Sequence, residues 1–204
     1  MNMSVSQADM QGLVNRLARL AKLDTSVFDE VRLDSTASVT SMIVAAVSVV
    51  LMGVGGWLWW VIASDANGGG GDIFVKSTIL GSVFAFALWI AWVFIVYVLL
   101  TQIFRAQADV QQLIRVMGLA AVPLGLMVLM FIPEISMGIG IAALALAFGL
   151  TVIATMSATS ASAGQVLAAN AIGFAVFAIV LTLLAGDRAS SMYTPGVFIF
   201  GLLS

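Results

Sequence analysis

Five long apolar stretches, separated by short polar breaks, follow one another through the chain after Ser38. They run from about Val39 to Ala63, Phe74 to Phe104, Val116 to Ile132, Ile135 to Ala158 and Val166 to Ala185. A hydrocarbon core of about 30 Å takes about 20 residues of α-helix to cross. Each stretch therefore predicts a membrane-spanning helix. The pattern predicts an all-α polytopic membrane protein, a five-transmembrane-helix bundle. Residues 1–37 form a polar arm, 38–186 the membrane domain and 187–204 a tail.

The arm has a different period. From Gln7 to Leu23, Met10, Leu13, Val14, Leu17, Leu20 and Ala21 recur at spacings of three and four, while Arg16, Arg19 and Lys22 lie away from most of that face. This predicts an amphipathic interfacial helix, lying along the membrane surface or against a partner. Asp24, Thr25 and Ser26 predict a stop followed by an N-cap, with a second short helical turn over Ser26–Val31. Asp34, Ser35 and Ser38 offer caps just before the first span.

The breaks between spans differ in kind. Ser64–Asp72 contains four consecutive glycines and reads as flexible. Its Asp65, Asn67 and Asp72 do not follow the ligand order of an EF-hand, so the loop reads as solvated. The break at Pro133 and Glu134 is so short that spans three and four must form a tight antiparallel hairpin, and Thr159–Gly164 joins spans four and five. Pro123, inside span three, removes a backbone donor and predicts a kink. No internal repeat is visible, so an inverted-repeat transporter gains no support.

Composition agrees and excludes alternatives. Hydrophobic residues are 62% and charged residues 9% of the chain. That is too few charges to cover a soluble domain, where about 25% is usual. The net charge of −2 gives no electrostatic support to a nucleic-acid partner. There is no Cys and no His, so disulfides, thiolate chemistry, His-ligated haem and triads built on either residue are excluded. We expect no catalytic residues, no cofactor and no metal. No ionisable group falls in the middle of a span; Lys76 can snorkel from one end, and Glu134 sits where a helix N-terminus favours an anion. Of eight Lys and Arg, the arm holds Arg16, Arg19, Lys22 and Arg32, and the link between spans two and three holds Arg105 and Arg115. The positive-inside rule then places the N-terminus in the cytoplasm and the C-terminus outside. Trp57, Trp59 and Trp60 suit the outer interfacial belt.

Candidate contacts follow from residue size and charge. Ala171, Ala175, Ala178 and Thr182 share a face of span five, Ala143 with Ala147 and Ala145 with Gly149 do so on span four, and Ser41, Ala45 and Ser48 on span one. Small residues let helices approach closely in lipid. Packing within the chain is the simpler reading of these stripes, and a face for another subunit the functional one. Gly118 and Gly125 flank Pro123 and permit close neighbours. Asn170 and Gln102 are candidates for hydrogen bonds between helices. Arg16, Arg19 and Lys22 are candidate lipid-headgroup contacts, although topology setting alone accounts for them. In the tail, Val197, Phe198 and Phe200 belong to an apolar run too short to span. It is expected to pack at the outer interface or to dock on a partner.

The stretch Phe104–Pro123 resembles the Yip-domain (Ypt-interacting protein) family of multi-span membrane proteins in its bacterial branch. The shared features are a Phe followed by a run beginning at Leu113 that keeps Arg115, Gly118, Ala120 and Pro123, preceded in the arm by Asp24-Thr-Ser-Val-Phe-Asp-Glu-Val and Asp34. The Asp-Leu-Tyr-Gly-Pro pattern of eukaryotic members is absent, so GTPase binding is not carried over. The resemblance covers roughly Leu23–Ala185. It implies a five-span bundle in the bacterial cytoplasmic (inner) membrane and no enzyme activity. The expected function is a non-enzymatic scaffold or accessory subunit, whose partners are the lipid bilayer and other membrane subunits. The alternative is a small-solute permease or channel, which requires a polar cavity at mid-membrane.

Overall fold

The computed structural model describes residues 7–63, 74–132 and 134–184. It is an all-α bundle, and among the described residues the only β feature is an isolated antiparallel bridge between Ala108 and Thr159. Two short helices come first, α1 (Gln7–Ala21) and α2 (Val27–Leu33). Five helices long and apolar enough to cross a membrane follow. They are α3 (Ala37–Ala63), α4 (Val75–Ile103), α5 (Val110–Phe131), α6 (Ser136–Ser157) and α7 (Ala163–Leu184). The apolar runs thus become helices nearly end for end. The exception is α5, which begins at Val110 rather than near Val116, because Gln111, Gln112 and Arg115 interrupt the apolar pattern without interrupting the helix.

The centre of the bundle is α5. Two-thirds (67%) of its most apolar window is buried by the rest of the chain, against 33% for α4, α6 and α7. It packs on α3 along one side and on α6 along another, while α4 packs on α3 and α7. α5 is also irregular. It is α-helical to Ala120 and 3₁₀ from Val122 to Phe131, with Pro123 near the start of the tighter winding. Proline needs no donor there. The expected kink at Pro123 thus takes the form of a change of winding. The 3₁₀ rise of about 2.0 Å per residue, against 1.5 Å in an α-helix, lengthens this helix for its residue count. α4 has π-helical segments at both ends, Val75–Gly81 and Leu99–Ile103.

Glycine sets how closely the spans approach. A methyl on Gly55 of α3 would overlap the carbonyl of Met127 in α5, and one on Gly118 of α5 would lie 2.6 Å from the carbonyl oxygen of Ser41 in α3. The backbones therefore touch directly, as small residues allow in lipid. Hydroxyls join α4 to α3: Ser77 Oγ donates to the Gly53 carbonyl at 2.9 Å and Ser82 Oγ to the Val49 carbonyl at 3.3 Å. The α4–α7 seam is aromatic instead. Trp92 lies against Gly173, with ring centroids 5.3 Å from Phe174 and 5.8 Å from Phe177, and Phe148 of α6 lies 5.1 Å from Phe174.

The small-residue stripe of α7 faces the other way from the seam. Ala171 and Ala175 are exposed and Ala178 is half-buried. The buried face of α7 is Val166, Ala169, Asn170, Gly173, Phe177 and Leu181. Ala143 and Ala147 of α6, and Ser41, Ala45 and Ser48 of α3, are buried, as are Gly118 and Pro123. Of the tryptophans expected at the outer belt, Trp59 turns inward and is buried, while Trp57 stacks edge-on against Phe74 at 5.1 Å.

Candidate functional site at the arm end of the bundle

Ionisable groups gather where α1, α2 and the links α4–α5 and α6–α7 meet, and α1 is anchored there first. The Leu23 N–H donates to the Leu20 carbonyl and the Asp24 N–H to the Arg19 carbonyl, with Leu23 at φ 61°. This is a Schellman ending with leucine in the left-handed position that glycine usually takes. An apolar contact commonly joins the two flanking residues of such an ending. Here it is replaced by an ion pair, Arg19 Nε to Asp24 Oδ2 at 2.8 Å. Arg19 also reaches Glu30 Oε1 at 2.6 Å and Ser26 Oγ at 2.9 Å. Arg16 pairs with Asp34 at 2.7 Å. Ser26 occupies the N-cap position of α2 but makes no side-chain cap; its hydroxyl donates to Asp24 instead. Asp34 Oδ1 accepts from both the backbone N–H and the hydroxyl of Thr36.

These contacts fix the electrostatics. Hydrogen bonds from Ser26, then Arg19, hold the Asp24 carboxyl below its ordinary range, and those from Thr36, then Arg16, do the same for Asp34. The Arg19 guanidinium is raised, first by its bond to Asp24 and then by Glu30. Of the three residues expected to meet lipid headgroups, Arg16 and Arg19 are thus engaged by carboxylates of their own arm, and Lys22 is exposed. On the inner side of α1, Leu20 is buried, and Leu13 and Leu17 pack half-buried against the same core. The amphipathic face is met at least in part by the bundle itself.

Arg115 was visible in the sequence only as a topology cation and a motif position. It is 8% exposed and ties three elements together. Its Nε donates to Ser38 Oγ at 2.7 Å, Nη1 to the Arg32 carbonyl at 3.0 Å and Nη2 to Gln111 Oε1 at 3.3 Å. Arg32 lies in the last turn of α2, so Arg115 places a cation on that helix's carbonyl end, where the helix dipole favours it.

Beside it, the two links are sewn together. The Gln107 carbonyl accepts from the Ser160 N–H at 3.1 Å and from Thr159 Oγ1 at 2.9 Å, and the Gln107 N–H donates to Ser160 Oγ at 2.9 Å. Arg105, at φ 53°, turns the chain out of α4 into this strand-like stretch. Asp109 caps α5 by accepting from the Gln112 N–H at 2.9 Å. Between the links and α2 lies an open crevice of about 490 Å³ with a mixed polar and apolar surface, lined by Arg32, Gln107, Asp109, Gln112, Thr159 and Ser160 among others.

Other expected residues lie apart. Asn170 is buried but bonds within its own helix, to the Val166 carbonyl, and its Oδ1 has no partner among the described residues. Gln102 and Glu134 are exposed. Val197, Phe198 and Phe200, Asp65, Asn67 and Asp72, and the four glycines lie outside the described residues. No family model matches the chain, and neither a curated protein nor a solved structure does.

Proposed function

We propose that this chain is a non-enzymatic membrane scaffold or accessory subunit that works through helix and lipid contacts, in the manner of the Yip-like proteins its Phe104–Pro123 stretch resembles. In this reading it lies in a bacterial cytoplasmic membrane with its N-terminus in the cytoplasm and its C-terminus outside. The observation that supports the reading best is how the interior is filled. Trp89, Trp92, Phe177, Met52, Leu124 and Met127 are fully buried between spans that touch through glycine. Within the five spans the only Asp, Glu, Lys or Arg residues are Lys76 and Arg115, both near span ends. Solute pathways across membranes are commonly marked by intramembrane polar or ionisable groups; an interior filled with large apolar side chains, in which the hydroxyls of Ser48, Ser77, Ser82 and Thr155 are spent on backbone carbonyls, instead suits a body that presents outer faces. The exposed Ala171 and Ala175 would serve as such a face.

Two measurements test this. Solute flux in sealed proteoliposomes should equal that of empty vesicles, and mild-detergent purification should retain a stoichiometric membrane partner that is lost on Ala171→Phe with Ala175→Phe. Flux above background would establish the permease reading instead. Because the chain has no cysteine, single cysteines introduced at Ser4 and Ser204 report orientation directly, and labelling of both from the same side would sink the proposed topology.

A further inference from the structure

We infer that the crevice between the α4–α5 and α6–α7 links seats a zwitterionic phosphate–amine headgroup, with Arg32 taking the phosphate and Asp109 the ammonium. The inference goes beyond the scaffold reading and does not require it. It needs only that this end of the bundle lie at a membrane surface.

Charge selects the ligand class. Two of the three arm cations that would draw anionic lipid, Arg16 and Arg19, are occupied by Asp34, Asp24 and Glu30, and the third, Lys22, is not in the crevice lining. The crevice itself carries one cation, Arg32, and one anion, Asp109. A cleft with one charge of each sign repels a purely anionic headgroup from its acidic side and matches a zwitterion on both.

Both charged groups retain capacity. Arg32 Nε is buried and forms a loose ion pair, 3.4 Å, with the mostly solvated Asp29, so the terminal guanidinium nitrogens are the ones a ligand in the crevice would meet. Asp109 uses Oδ1 to cap α5, which leaves Oδ2 outside that bond. The neutral lining includes, beside Ala108, Ser157 and Ala158, the side chains of Gln107, Gln112, Thr159 and Ser160, donors and acceptors of the kind a phosphoester uses. At about 490 Å³ the crevice has room for a headgroup, and its openness suits a ligand whose tails stay in the bilayer. The link-to-link bonds at Gln107, Thr159 and Ser160 hold its walls in place without a ligand.

The test is native mass spectrometry of the full chain in detergent, titrated separately with phosphatidylethanolamine and phosphatidylglycerol. The wild-type protein should hold phosphatidylethanolamine about tenfold more tightly, the scale of one charge-assisted hydrogen bond. Asp109→Asn keeps an N-cap side chain and should reduce phosphatidylethanolamine to the phosphatidylglycerol level. Arg32→Gln should weaken phosphatidylethanolamine by a similar factor. Glu134→Gln, outside the crevice, should keep the preference, and unchanged melting temperatures would show that the variants are folded. Soluble phosphoethanolamine separates the two sources. Its displacement of the lipid would assign the site to the free solute, and its failure to compete to the membrane lipid, with the residue dependence retained in both cases. Equal retention of the two lipids by the wild-type protein, or folded Arg32 and Asp109 variants that bind like it, would overturn the inference.

Discussion

The spans and the arm end of this protein are held together by opposite means. Deep between the spans, close backbone approach dominates: Gly55 of α3 meets the Met127 carbonyl of α5, Gly118 of α5 meets Ser41 of α3, and short hydroxyls of α4 reach the α3 carbonyls of Val49 and Gly53. At the arm end shape matters less and pairing more. Arg16, Arg19 and Arg115 between them reach Asp34, Asp24, Glu30, Ser38, Gln111 and the Arg32 carbonyl. The difference follows from the solvent each part meets. Lipid tails are as apolar as leucine, so burying leucine between helices gains little in a bilayer, and close backbone approach must do the work. Where water is near, ion pairs form readily but each is worth little. Disrupting a glycine contact should therefore cost far more than disrupting a salt bridge.

The largest expected effect is at Gly55. Any side chain there overlaps the Met127 carbonyl, and backbone cannot move aside as a flexible side chain can. Gly55→Val should cost at least about 3 kcal/mol, the upper part of the overpacking range, read as loss of the folded fraction in a denaturant titration in micelles. Gly138 has nothing within 4 Å of an added methyl, and Gly138→Ala should be neutral or slightly stabilising, since alanine is the better helix former by about 1 kcal/mol. Equal effects at the two sites would break the comparison.

Arg115 lies where the two regimes join, and its loss should come next. Arg115→Met keeps much of the stem but strands Ser38, the Arg32 carbonyl and Gln111, in a place where the cation itself is nearly buried. We expect a loss of about 2–3 kcal/mol, since hydrogen bonds to charged groups contribute about 1.5–3 kcal/mol. Arg115→Lys should recover only part of it, because an ammonium cannot reproduce the planar fork. Full rescue by lysine would show that charge alone mattered.

What could be read in advance follows the same division. The five spans were legible because their long apolar runs, charged only near span ends at Lys76 and Arg115, have only one stable backbone conformation in lipid. The arm helix was legible because one of its faces meets water. The inner and outer faces of the spans were not legible. α7 carries small residues both at Ala171 and Ala175, which face out, and at Ala169 and Gly173, which face in, and a helix that is apolar all round gives no sign of which side meets protein. The role of Arg115 was hidden for another reason: two of its partners lie 77 and 83 residues away, and a count of cations reports only which side of the membrane they occupy. The crevice was invisible because its walls come from separate links whose pairing, Gln107 with Thr159 and Ser160, has no local signature.

A smaller effect is expected from α1. Leu13→Asp combined with Leu17→Asp removes the half-buried contacts that lay the helix on the core. Each leucine stabilises by less than the roughly 1.5–3 kcal/mol of a fully buried one. Hydrogen exchange should show residues 11–21 losing protection while α3 and α5 keep theirs. Loss of protection in the spans as well would mean that the arm is part of the bundle's cooperative core.

The smallest effect should come from acid, and its sign is fixed by the two carboxyls of the arm. Asp24 and Asp34 are held below the ordinary aspartate value of 3.8 by hydrogen bonds to their charged forms. Stabilisation from a depressed carboxyl is fully present above its unfolded value and is lost as pH falls through the lower folded value. The arm should therefore be indifferent to pH between about 5 and 8 and loosen only below about 4, when Arg16 and Arg19 lose their partners. For the Arg16–Asp34 pair the loss should stay within about 1 kcal/mol, the usual range for a solvent-accessible pair, and should shrink with added salt. Tryptophan fluorescence and arm-amide exchange followed together across this range separate the regions. All five tryptophans lie in α3 and α4, so their emission should hold steady while the arm amides begin to exchange. A tryptophan signal that moved at the same midpoint as the arm would show that its ion pairs reach into the spans, and that the two ways of holding this protein together are one.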